Sequence, residues 1–224
     1  MRDSPAAAIH PCPQSPRYWT HRGQTQVLLG GSADDNLFQM PGVEGQLDLL
    51  VQNGGNFLRN TMSDRPDLGY EIKAFGQRDD GLYDLQTWNE EYWTRFERFL
   101  TGTNERGIVV QIEMWDRFDH SRGPWLHDPF NPANNINYDA EESGLASDYP
   151  AHPGQNRQPF FYTVPQLQDN QILLAFQKAF VDRVLSYTLQ HDHILYCVDN
   201  ETSGDPAWAS FWATYITDRA QAAG

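Results

Sequence analysis

The feature that most constrains this chain is an alternation, repeated four times, of a short apolar run with a longer stretch of helical period. Gln26-Val27-Leu28-Leu29-Gly30-Gly31 reads as a strand closed by glycines, and Val43 to Gln52 as a helix stopped by Asn53-Gly54-Gly55. Asn56 to Asn60 is a second strand. Gly69 to Leu85, with a turn at Asp79-Asp80-Gly81, reads as a hairpin excursion. Trp88, Tyr92, Trp93, Phe96, Phe99 and Leu100 then share one helical face that ends near Arg106-Gly107. Ile108 to Trp115 is a third strand, Pro165 to Gln190 a third helix and His193 to Val198 a fourth strand. Asp205-Pro206, a cap residue followed by proline at the first helical position, opens a last helix with Trp208, Phe211, Trp212, Tyr215 and Ile216 on its apolar face.

Strands that alternate with helices build a parallel sheet with helical crossovers, because parallel neighbours cannot be joined by a tight turn. Two architectures satisfy this, a doubly wound sheet and a (β/α)8 TIM barrel. A nucleotide-binding doubly wound sheet calls for a glycine-rich phosphate loop after its first strand. Here Gly30-Gly31 is followed by Ser32-Ala33-Asp34-Asp35, whose acids would repel a phosphate. The α/β barrel is the expected fold class, with residues 1–24 as a lead-in and 25–224 as about the first four β/α units. The long aperiodic segment from His120 to Thr163, rich in aromatics, Asn and Asp, follows the third strand and so belongs to the active face as a substrate-binding wall or lid.

Composition narrows the partners. A net charge of −14 disfavours nucleic acid and anionic membrane surfaces. No apolar run is long enough to span a bilayer, and the N-terminus has no signal-peptide core. The two cysteines, Cys12 and Cys197, lie far apart; Cys197 sits in an apolar run and reads as a buried free thiol, without a disulfide scaffold. His191-Asp192-His193 resembles a metal motif but precedes the fourth strand, at the bottom of the barrel, and reads as a turn. No metal or cofactor is expected.

Working residues of a TIM barrel sit at the C-terminal ends of its strands. On that rim the sequence places Asp34 and Asp35, then Arg59-Asn60-Thr61, then Glu113, Trp115 and Asp116, and finally Asp199-Asn200-Glu201-Thr202. Carboxylates, amides, an arginine and a tryptophan are the chemistry that reads sugars. Several have structural alternatives: Arg59 with Glu113 as an ion pair, Asp34 and Asp35 as caps, Trp115 as core packing, Glu201 as a surface acid. Asn200-Glu201-Thr202 also fits a glycosylation sequon, discounted inside a barrel mouth.

Asn-Glu at the end of a fourth strand resembles the clan A glycoside hydrolases, the cellulase- and mannanase-like TIM barrels. Arg59, the stretch Gly81-Leu82-Tyr83-Asp84-Leu85 with Trp88-Asn89, and the opening Pro16-Arg17-Tyr18-Trp19-Thr20 extend the resemblance over nearly the whole chain. The resemblance implies that Glu201 is the acid/base carboxylate, its pKa raised toward neutrality, and that Asn200 bonds the sugar 2-hydroxyl. Arg59 would orient the partner carboxylate, and Trp115, Asp116, Asp34 and Asp35 would contact substrate. The clan's nucleophile ends a seventh strand, beyond Gly224, so the chain alone is expected to be inactive. The substrate is an oligo- or polysaccharide or glycoside, and the location extracytoplasmic, as the clan is often secreted in bacteria. The alternatives are a carbohydrate-binding pseudoenzyme and a half-barrel that self-associates through its exposed sheet edges.

Overall fold

A computed structural model describes residues 8–152, 157–201 and 204–223. It opens with a small antiparallel sheet of β1 (His10–Pro11), β2 (Trp19–His21) and β3 (Gln24–Gln26), with Trp19 opposite Gln26 and His21 opposite Gln24. Arg22 and Gly23, both at positive φ, make the tight turn whose twist matches the two strands. The expected boundary after residue 24 therefore falls inside a strand. The expected first barrel strand, residues 26–31, is reduced to one parallel bridge between Gly30 and Phe57. A β-carbon at Gly30 would meet the Phe57 carbonyl oxygen at 2.0 Å, so only glycine permits this approach.

The parallel sheet comprises β4 (Phe57–Thr61), β7 (Val109–Asp116) and β8 (Ile194–Asn200), in that order. Phe57 pairs with Val109 and Val110 with Ile194. The antiparallel hairpin of β5 (Phe75–Gln77) and β6 (Tyr83–Trp88) lies between β4 and β7 in the chain and turns at Gly81, as the sequence predicts. Sheet order follows chain order, with no reversal of the kind that defines a doubly wound sheet. The outer edge of β8 has no strand partner among the described residues, and no closed barrel forms.

Three helices make the crossovers, α1 (Val43–Gln52), α2 (Glu90–Glu105) and α5 (Gln171–Thr188), and α6 (Pro206–Ala223) follows β8. The starts of α2, α5 and α6 are set by side chains that satisfy free amide groups, whereas α1 starts after Gly42 without a side-chain cap. Asn89 accepts from Glu91 N, Asn170 from Leu173 N and Asp205 from Ala207 N. Trp88, expected on the helical face, instead ends β6, and Asn89 caps the helix after it. Leu58, Val110, Ile112 and Met114 pack with Leu47, Phe96, Phe99, Leu100, Val181 and Trp212 in one core. Each such side chain, fully buried, contributes roughly 1.5–3 kcal/mol. No helix among the described residues is long and apolar enough to cross a membrane.

The segment after β7 is a packed layer with short helices α3 (Arg122–Trp125) and α4 (Ala140–Ser143) and a 3-10 turn at Pro159–Tyr162. Trp125, Phe160 and Phe161 are buried, and Asn131 and Asn135 side chains bond the loop's own carbonyls. That fastening makes it a wall rather than an open lid. At the bottom of the sheet, Asp192 accepts from Arg22 (2.7 and 2.8 Å) and contacts His21 at 3.1 Å. Burial opposes ionisation of Asp192, but these partners outweigh it and draw its pKa down to about 2. His191-Asp192-His193 is thus a latch between the N-terminal sheet and β8, in keeping with its reading as a turn. Cys12 and Cys197 are free thiols; Cys197 is half-buried rather than buried.

Candidate active site

The C-terminal ends of the parallel strands converge on an open cleft of about 390 Å³, lined by Asp35, Arg59, Asp116, Asn200 and Glu201 together with Arg65, Asp67, Phe118, Arg122 and Pro124. Asp35 reaches it because its backbone carbonyl is held by Thr61 N at 2.6 Å, at the end of β4. Arg59 projects from β4, Asp116 and Asn200 are the last residues of β7 and β8, and they pair in register.

These side chains close a hydrogen-bonded ring. Arg59 Nη2 donates to Asp35 Oδ1 at 2.5 Å and Arg59 Nη1 to Asn200 Oδ1 at 3.2 Å. Asn200 Nδ2 donates to Asp116 Oδ2 at 3.3 Å. Arg65 Nη1 donates to the same oxygen at 2.9 Å, and Arg65 Nη2 to Asp35 Oδ2 at 3.1 Å. The amide of Asn200 is therefore fixed in orientation, its oxygen toward a cation and one N–H toward a carboxylate, with no partner for its second N–H among the described residues. Glu113, on β7, accepts from Thr61 Oγ1 at 2.7 Å and Gln111 Nε2 at 3.2 Å and lies 3.6 Å from Arg59. The expected Arg59–Glu113 pair is present, and Arg59 serves the mouth as well. Burial works against the charge of Arg59, but Glu113, Asp35 and Glu201 outweigh it and raise its pKa.

Glu201 stands one residue beyond β8, exposed, at φ +44°. Left-handed backbone at a non-glycine residue costs of the order of 1 kcal/mol and concentrates at functional positions. Thr202, the third residue of the sequon, lies outside the described residues.

The other expected contacts are placed differently. Trp115 is 3% exposed and packs against Phe160, Phe180, Trp208 and Trp212. It is core, with no face left for a sugar ring, because its side chain leaves the mouth for the aromatic layer between sheet and helices. Asp116 lines the cleft floor, but its side chain is fully buried beneath Arg65 and Asn200, so it positions these groups instead of meeting substrate. Asp34 does not line the cleft; it accepts from Tyr70 Oη at 3.3 Å.

Arg65, in the loop after β4, carries no signal in the sequence that marks it as a site residue. Its side chain, 13% exposed, meets Asp35, Asp67 and Asp116 at 2.9–3.1 Å and Asp119 at 3.5 Å. Burial opposes its charge, yet Asp119 and Asp116 raise its pKa. Behind it a cavity of about 30 Å³ is bordered by Asp64, Asp119, His120 and Asp128. Burial pushes the Asp119 carboxyl well up, with Asp116 adding to the effect. Lys73 bonds Asp64 at 2.7 Å, and His120 Nδ1 lies 2.7 Å from Asp128. Among the described residues, no group of three or more His, Cys, Asp or Glu is placed to hold a metal ion.

Solved structures share this arrangement of strands and helices. The glycoside hydrolase family 5 mannosidase of Rhizomucor miehei, crystallised as a mutant with mannosyl-fructose, superposes with a TM-score of 0.63 at 15% identity, over 97% of this chain and 54% of that one. The endo-1,4-beta-mannanase of the same organism gives 0.56 at 12% identity, over 90% and 56%. A putative glycoside hydrolase from Bacteroides vulgatus gives 0.54 at 9% identity, over 96% and 37%. No family model and no curated protein matches the sequence. The chain thus has the fold of about half of such a TIM-barrel enzyme, as its three paired strands and one bridged segment require, and it spans about half the length of the two Rhizomucor enzymes.

Proposed function

We propose that this chain supplies the acid/base half of a retaining glycoside hydrolase. The observation that carries the reading is Asn200-Glu201 at the end of the fourth barrel position, with the Asn200 amide locked between Arg59 and Asp116. Glu201 is the proton donor to the glycosidic oxygen and then the base that activates water. Asn200 offers its remaining N–H to the sugar 2-hydroxyl. Double displacement requires a second carboxyl about 5 Å away. Glu113 and Asp35 are bonded on both oxygens, and Asp116 is inaccessible. The resemblance to the clan implies that this nucleophile is a glutamate on a later strand of the barrel, and that the substrate is an oligo- or polysaccharide or a glycoside.

The test is Glu201→Gln in the natural protein that carries this chain. Removing the general acid is expected to lower turnover of a glycoside with a poor leaving group by about 10²–10⁴-fold. An activated aryl glycoside, which needs no proton at its first step, suffers far less in that step. Unchanged turnover on the poor leaving group refutes the assignment.

A further inference from the structure

Among the described residues, one cation lining the cleft has no carboxylate within ion-pair distance. Arg59 and Arg65 are tied to Asp35, Glu113, Asp67 and Asp116, as described. Arg122 also lines the cleft and is exposed, and among the described residues no carboxylate lies within ion-pair distance of its guanidinium. Its contact is with an aromatic ring: the guanidinium carbon stands 5.9 Å from the centre of Phe118, which is half-exposed on the same wall. The position is fixed from both sides. Arg122 N donates to Tyr149 O at 2.8 Å, and the His152 ring meets Phe118 edge-on at 5.5 Å. Arg122 holds φ +53°, an unfavourable conformation for a residue with a β-carbon, at the point where the chain leaves β7 for the packed wall.

What sets Arg122 apart is its place: it lines the cleft that also holds Asp67 and Glu201. A planar fork of N–H donors suits a planar carboxylate, and an adjacent ring edge or face suits the apolar side of a pyranose. We infer that Phe118 and Arg122 form a subsite for an acidic sugar, a glycan unit bearing a carboxylate. The nearby carboxylates Asp35, Asp67 and Asp116 each hold a contact with Arg65, and Asp35 a second with Arg59, so the guanidinium an incoming carboxylate can reach without displacing an ion pair among the described residues is that of Arg122. The inference deepens the glycoside reading of the cleft and rests on it for the sugar, though not for the anion.

The test is calorimetric titration of this chain with three probes: a neutral disaccharide, the same disaccharide ending in glucuronic acid, and free glucuronate. Each is run at low and high salt on wild type and on Arg122→Gln, an exposed substitution whose folding circular dichroism verifies. The acidic disaccharide is expected to bind roughly five- to tenfold tighter than the neutral one, as an exposed charge-assisted bond allows. That gain should shrink at high salt and vanish in Arg122→Gln. Equal affinity for both disaccharides, or a preference that survives Arg122→Gln, overturns the subsite while sugar binding stands. Arg122-dependent binding of glucuronate without any binding of the neutral sugar keeps the anion site and overturns the glycoside reading. Binding of none of the probes overturns both, and displacement of glucuronate by inorganic sulfate at equal strength overturns the assignment to a sugar acid.

Discussion

Asp116→Asn probes the ring at its most buried member. Asp116 Oδ2 accepts from Arg65 and Asn200, and Oδ1 accepts from Phe118 N at 2.8 Å. Asparagine has one acceptor oxygen. If it stays on Phe118 N, its NH2 faces two donors; if it flips, its NH2 faces the Phe118 N–H. Either way a charged hydrogen bond, worth about 1.5–3 kcal/mol, is lost or a buried donor is stranded at about 1–3 kcal/mol. Arg65 keeps Asp35, Asp67 and Asp119, so the full penalty for an orphaned buried charge does not apply. The net expectation is a loss of about 3 kcal/mol. In urea unfolding, with a slope near the top of the usual range, the midpoint falls by roughly 1 M. Asp67→Asn, at a partner of the same arginine whose side chain is 61% exposed, is the control and should cost less than about 1 kcal/mol. Equal shifts for the two variants, or none for Asp116→Asn, refute the claim that the ring is held from beneath.

Two further outcomes follow from burial. His193 is buried and bonds Thr103 Oγ1 at 3.1 Å, and desolvation, with His191 adding to it, lowers its pKa to about 3. The unfolded chain binds the proton more readily, so stability is full above about pH 6.5 and falls toward pH 3, by at most about 1.4 kcal/mol per pH unit; urea melts at pH 7 and at pH 5 should show a smaller difference in His193→Gln than in wild type. Trp115→Ala should cost about 3–5 kcal/mol as a core truncation, and an undiminished unfolding midpoint would return Trp115 to the surface.

Most elements were legible because each carried a local signal. Val43–Gln52 forms the helix its spacing and Asn53-Gly54-Gly55 stop predict, and Asp205-Pro206 marks a true helix start. The first strand was misread because Val27 and Leu29 look like core yet are 45% and 58% exposed, held by Asn56 side-chain bonds instead of a strand ladder. Trp88 has helical spacing to Tyr92, but the Asn89 cap decides where the helix starts. At the site, strand ends pointed to Asp35, Arg59, Asn200 and Glu201, whereas the outward turn of Trp115 depends on tertiary packing that no pattern encodes. Arg122 lies in the long segment the sequence assigns to the active face, though no periodicity singles it out there, and Arg65 sits in a short loop that only the fold brings to the cleft.

The measurement that bears most directly on the central claim is the stereochemistry of hydrolysis. The natural protein carrying this chain is presented with aryl gluco- and mannosides, and the first-formed anomer is followed by proton NMR. The account predicts cleavage with retention of configuration, abolished for poor leaving groups by Glu201→Gln. Inversion would contradict the double displacement, and the absence of cleavage of any glycoside would contradict the glycosidase itself.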